Sequence, residues 1–215
     1  MLTSEVEQVY QGQFGEFQIT DRDRLGVIIY RTGLAIAAIS FTIGSCLLFW
    51  QPTSTIVFNS LTWLFGIFAL GLGVSLLTIH IYLVPLHRLL QVFWAIGTIS
   101  AFIIELQHSQ PLALFVYNHP VTLFGVGFIF ASLTGIYFKE AFCFNRLETK
   151  FLTPLVPLLL LGHLVGILST SVEQVLLATW SILFLIFALR KVIQPIPPDI
   201  GDKSVFDYLK QQRQK

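Results

Sequence analysis

Histidine, arginine and carboxylate side chains inside apolar stretches are the residues of this chain whose types and spacing could do chemistry. His163 lies in Leu160-Leu161-Gly162-His163-Leu164, well inside an apolar run. An imidazole there must find a polar partner, so it reads as an interhelical hydrogen bond or as a ligand or proton site. The neighbouring Gly162 would admit a close helix or a flat ring. His80 and His87 are seven residues apart at the end of another run. Two helical turns would put them on one face, where imidazoles could hold a cofactor metal, including the magnesium of a chlorophyll. The plainer reading is that His87 sits at the interface beside Arg88, with His80 hydrogen-bonding between helices near Ser75 and Thr78.

Arg31 is six residues into the first apolar run. It either snorkels to the interface or forms a buried pair with a carboxylate, for which Glu140 is the candidate. The stretch from Phe138 to Lys150 mixes Phe138, Phe142 and Phe144 with three cations, two carboxylates and Cys143. Such a stretch is either an interfacial linker or a docking surface for a partner or anionic lipid. As a docking surface it offers Lys139, Glu140, Phe142, Phe144, Arg146 and Lys150, joined by Phe206 and Tyr208 from the tail. No GxxxxGK[ST], GxGxxG, HExxH, GxSxG, CxxC or CxxCH motif is present. Acid, base and nucleophile do not cluster at one depth, which argues against an enzyme, and no metal site is expected.

These residues must be positioned by membrane helices. The 215-residue chain is 54% hydrophobic and 12% charged, with twenty Phe; soluble domains carry about 25% charge. Its mean hydropathy is +0.75. Apolar runs cover Leu25–Trp50, Ile56–Leu83, Leu89–Leu106, Val121–Phe138, Phe151–Leu168 and Val175–Leu189. Each approaches the roughly 20 residues that cross a hydrocarbon core, and only helices satisfy the backbone of such long runs in lipid. The expected fold is therefore all-α, a polytopic membrane protein with six transmembrane helices. The segments are 1–24 (N-terminal), 25–194 (the six-helix domain) and 195–215 (a tail with a short helix). The first 24 residues are polar and show no cleavable leader.

The thirteen Lys and Arg occupy alternate gaps: before and within the start of the first run, near Pro85, from 139 to 150, and after the last run. The intervening gaps hold none. The positive-inside rule then places both termini on the cytoplasmic side. The net charge of +1 suggests no nucleic-acid partner. Cys46 and Cys143 fall at opposite faces, too far apart for a disulfide. Thr20 and Asp23 could cap the first helix, and a short strand is possible within Gln13–Thr20. Pro195, Pro197 and Pro198 must break the last helix. Ser204 can start a final short helix whose small apolar face carries Val205, Tyr208 and Leu209.

Four strings carry a family resemblance: Gln11-Gly12-Gln13-Phe14-Gly15-Glu16-Phe17, Gly73 to Tyr82, Phe138 to Lys150, and Ile196 to Leu209. They resemble a family of uncharacterised integral membrane proteins, domain of unknown function 2301, of cyanobacteria with plastid relatives. The resemblance implies a phototroph setting, hence a thylakoid or plasma membrane, and carries no established activity. It suggests an auxiliary, assembly or stabilising factor of photosynthetic membrane complexes, in contact with lipid and with subunits of such complexes. Two rivals stand beside it. One is a small transporter or channel with His163 and Arg31 as polar stations. The other is a pigment- or haem-binding protein using His80, His87 or His163 on a chlorophyll or other tetrapyrrole.

Overall fold

The computed structural model describes residues 9–213. Two short strands come first, β1 (Val9–Gly12) and β2 (Gly15–Gln18), paired as an antiparallel hairpin. The helices that follow are α1 (Asp21–Trp50), α2 (Thr55–Thr78), α3 (Val84–Gln107), α4 (Leu112–Asn118), α5 (Leu123–Phe144), α6 (Leu147–Leu164), α7 (Thr170–Ile193), α8 (Pro197–Ile200) and α9 (Lys203–Arg213). All but α4, α8 and α9 are long and apolar enough to cross a membrane. Their outward residues suit lipid: Ile56, Trp63 and Leu70 are 78%, 80% and 70% exposed.

The local sequence explains most boundaries. Thr20 Oγ1 accepts from the Asp23 amide and the Asp23 carboxylate accepts from the Thr20 amide, the expected capping box. The second apolar run does not continue as one helix to Leu83. It stops at Thr78, and α3 starts at Val84 rather than Leu89. Pro85 is the cause: it has no N–H for the carbonyl of Ile81, and its ring would clash with that carbonyl. At the head of α3 the missing donor costs nothing. The stretch from 139 to 150 is no loop. Helix α5 runs to Phe144, Asn145 turns in the left-handed region at φ 52°, and α6 begins two residues later.

The six long helices form a ring in the order α2, α1, α7, α6, α5, α3, closed by contact of α3 with α2. Aromatic rings fill the middle, with Phe41, Phe65, Phe68, Phe130 and Trp180 in mutual contact. Small residues bring the backbones together, as membrane packing requires. A Cβ on Gly33 of α1 would lie 2.9 Å from Ser75 Oγ and 3.0 Å from its backbone nitrogen. Ser75 in turn donates to the Tyr30 carbonyl at 2.8 Å. Gly33→Leu is therefore expected to destabilise the protein by about 1–3 kcal/mol through overpacking. Thermal unfolding in mild detergent measures it, with Gly66→Leu, where the added atom meets nothing within 4 Å, as the neutral control.

The hairpin is clasped by the tail. The turn amides of Gln13 and Phe14 donate to the Asp202 carboxylate at 2.7 Å and to Ser204 Oγ at 3.0 Å. Phe14 stacks on Tyr208 with ring centroids 4.0 Å apart, and Tyr82 packs on Phe206 at 4.7 Å. The Asp202 amide donates to the Tyr82 hydroxyl. Hydrogen bonds from Ser204 and then from the Gln13 amide hold the Asp202 carboxyl below the ordinary carboxylate range. Its folded pKa is depressed, so its contribution is complete above the ordinary pKa and lost as pH falls through the lowered value. Asp202→Asn is expected to remove hydrogen-exchange protection from the Gln13 amide at neutral pH. In the parent protein that protection should fade only at acidic pH.

Candidate functional site

Polar chemistry concentrates at two places. The first lies at the end of the bundle where Arg and Lys gather. Arg31 donates through Nε and Nη2 to Asp199 Oδ2 at 2.8 and 2.7 Å, and to the carbonyls of Gln194 and Pro195 at 2.5 and 2.9 Å. Lys191 donates to Glu140 Oε2 at 2.6 Å and to Asp199 Oδ1. Lys139 donates to Glu140 Oε1 at 2.8 Å, which the Tyr30 hydroxyl also approaches at 3.3 Å. The side chains of Glu140 and Lys191 are fully buried. The Lys191 ammonium also sits 4.2 Å from the Phe144 ring centroid. Three cations thus share two carboxylates in a closed network.

The proline break makes this possible. It turns the chain after α7 so that α8 brings Asp199 back under α1. The expected Arg31–Glu140 pair is corrected accordingly: Arg31 takes Asp199, and Glu140 of α5 faces Lys191 of α7. Most of the residues expected to dock a partner are also used internally. Lys139 and Glu140 belong to the network, Arg146 bonds Glu148 and Gln194, and Phe144 lies beneath the cations. Phe206 and Tyr208 stack inside the clasp. Phe142 and Lys150 remain exposed.

The second place is a cavity of about 630 Å³ towards the other end of the ring. It lies between α1, α2, α5, α6 and α7 and is covered by α4. Phe41, Phe130 and Trp180 form apolar wall and floor, with Ala113 and Tyr117 contributed by α4. A smaller void of about 220 Å³ continues from it and shares Phe41 and Ala113. Polar groups converge on one side. His163 Nδ1 is 2.7 Å from Glu173 Oε1, and Nε2 is 3.1 Å from the Tyr117 carbonyl. The Tyr117 hydroxyl donates to Glu173 Oε2 at 3.0 Å, and its ring stacks on His163 at 4.8 Å. Burial, then the Glu173 carboxylate, pushes the Tyr117 phenol above its ordinary pKa, so it keeps its proton as a donor.

His163 is thus not mid-helix in the bundle core. Helix α6 begins at Leu147 and ends at Leu164, which places His163 in its last turn beside the start of α7. Its two ring nitrogens face the Glu173 carboxylate and the Tyr117 carbonyl, so both are engaged within the cavity wall. His80 and His87 do not share a helix face. His80 lies in the break after α2, where burial lowers its pKa, and His87 Nε2 is 2.6 Å from the Leu76 carbonyl. Neither lines the cavity. Among the described residues, no three His, Cys, Asp or Glu side chains converge as a metal site needs. Cys46 and Cys143 are both free and exposed. Sequence reasoning missed Lys191, Asp199, Tyr117 and Glu173 as partners.

Residues 74–208, from late α2 into α9, match the family described as "Uncharacterized integral membrane protein (DUF2301)". The chain is also 29% identical over 188 residues to an "Uncharacterized protein" of Haemophilus influenzae, covering 86% of this chain and 91% of the relative. That source lies outside the cyanobacterial and plastid setting which the resemblance implies, so the setting does not bound these proteins. No solved structure matches the chain. With six spanning-length helices and a match over well over half its length, the chain belongs to this family of integral membrane proteins.

Proposed function

We propose that this protein is a membrane-embedded binding protein that holds a small, mainly apolar molecule in the cavity under α4. One observation carries the reading: an aromatic-walled space of about 630 Å³ on which His163, Glu173 and Tyr117 converge. Ligand sites fall at about 300–1,000 Å³, lined by apolar and aromatic groups with a few placed polar ones. Below the floor at Trp180 the bundle is filled by Tyr137, Phe184 and Phe187, and then by the buried charge network. A space closed on that side supports binding more than conduction. Under the positive-inside rule the cavity lies towards the non-cytoplasmic side, with the clasped hairpin and tail in the cytoplasm. A role towards photosynthetic complexes keeps only the resemblance as support, and the Haemophilus relative weakens it.

Native mass spectrometry of the protein released from mild detergent tests the reading. A stoichiometric adduct of lipid size is expected to survive release. A bare polypeptide mass under conditions that retain other bound lipids would count against the proposal.

A further inference from the structure

We infer that the ligand is an amphiphile with a single straight alkyl chain, and that the smaller void is a blind branch that gauges the length of that chain. This rests on the cavity reading above. The two spaces are continuous but differ in kind. Ser40, Gly44, Ser45, Leu64, Phe65 and Phe68 line only the branch, and all lie on α1 or α2. The residues around the branch are buried or half-buried. The main cavity instead reaches the surface at its polar corner, where Tyr117 of α4 and Thr170 and Gln174 of α7 are exposed beside the His163–Glu173 pair. The path thus runs from a wet polar mouth to a dry apolar end.

A head group gains nothing in the branch. The hydroxyls of Ser40 and Ser45 donate to their own helix, to the carbonyls of Ile36 and Phe41 at 2.8 and 2.9 Å. A polar group seated there would be buried with no donor to meet it, which is costly. The branch holds about 220 Å³, less than the roughly 300 Å³ of a whole ligand site. It therefore takes only the slender part of a molecule whose remainder fills the main cavity. Its end is packed: Phe68 is buried, with the ring centroids of Phe41 and Phe65 at 6.2 and 6.0 Å. A chain that is too short leaves the branch empty and forfeits its dispersion contacts. A chain that is too long must displace these rings, as overpacking does. The surrounding lipid is as apolar as the branch, so added methylenes favour the site through fit and not through hydrophobicity. The head stays at the open mouth, in reach of water.

Native mass spectrometry ranks chain lengths in one spectrum, because each added methylene changes the adduct mass. The unaltered full chain in mild detergent is incubated with an equimolar series of lysophosphatidylcholines, one head on saturated chains of increasing length. Retention is expected to peak at one length and to fall at least about tenfold towards the longest chains. Ser45→Leu, which places a larger side chain in the branch, is expected to move the peak to shorter chains. Leu64→Ala, which widens the branch, is expected to move it to longer ones, and it carries the test alone if Ser45→Leu does not fold. A flat or steadily rising profile, or a peak that neither variant moves, overturns the branch as a gauge of length while leaving cavity binding intact. A doubly acylated phosphatidylcholine retained as well as the best single chain overturns the ligand class. No adduct at all, native or added, overturns the cavity reading itself.

Discussion

Glu140→Gln is expected to cost about 3–5 kcal/mol of stability, the usual effect of stripping one partner from a buried ionic network. In the parent protein Arg31, Lys139 and Lys191 share the carboxylates of Glu140 and Asp199. The substitution keeps the side-chain shape but leaves three cations against one carboxylate. It also turns an amide or a carbonyl, in place of a charge, towards the fully buried Lys191 ammonium. Lys191→Met changes the balance the other way. Arg31 keeps Asp199 and Lys139 keeps Glu140, so this single change is expected to cost less than Glu140→Gln. The double variant E140Q/K191M removes one charge of each sign, and it is expected to be more stable than E140Q alone. Chemical or thermal unfolding in one detergent, on all three variants, checks the ordering. Equal costs for the two single variants, with simple addition in the double, would contradict a charge-balance origin.

Ala113→Phe is expected to abolish the bound adduct, weakening ligand retention at least about tenfold, without lowering the unfolding temperature. Ala113 lies on α4 and lines both the main cavity and its smaller continuation. A phenyl group there fills space rather than displacing packed neighbours. Loss of binding together with retained or raised stability separates an occupied cavity from a packing defect. An Ala113→Phe variant that keeps its adduct mass would place the bound molecule elsewhere, on the lipid-facing surface.

These expectations differ in how far they can be read from the chain. Six spanning helices are legible because lipid imposes one rule on every span: about 20 apolar residues with their backbone bonds made internally. The Thr20–Asp23 cap and the break at Pro195 are legible because their causes are local. The partners are not. Arg31 and Asp199 lie 168 residues apart and Tyr30 and Glu140 lie 110 apart, and no local pattern records which helix faces which. Lys191 reads as one more interfacial cation, since nothing before Pro195 shows that α8 folds back beneath it. His163 and Glu173 are only ten residues apart. They read as separate because the fifth apolar run extends to Leu168, which hides the end of α6 at Leu164. Once Gly166 turns the chain in the left-handed region at φ 70°, the last turn of α6 and the first of α7 must meet. The stretch from 139 to 150 misleads in the opposite direction. Its charges suggest an exposed docking loop, while two adjoining helices take Lys139 and Glu140 into the network and pair Arg146 with Glu148.

The buried network and the clasp of hairpin and tail fill one end of the bundle. The other end keeps a space with a polar corner. That contrast is why binding is placed under α4, and why the basic end is read as structural support. The most direct measurement is an experimental density map of the protein in nanodiscs of native lipid. An elongated feature is expected between Phe41, Phe130 and Trp180, with its head within hydrogen-bonding reach of Glu173 or Tyr117. A cavity closed by inward movement of α4, or a continuous water path past Trp180 to the basic end, would contradict the account.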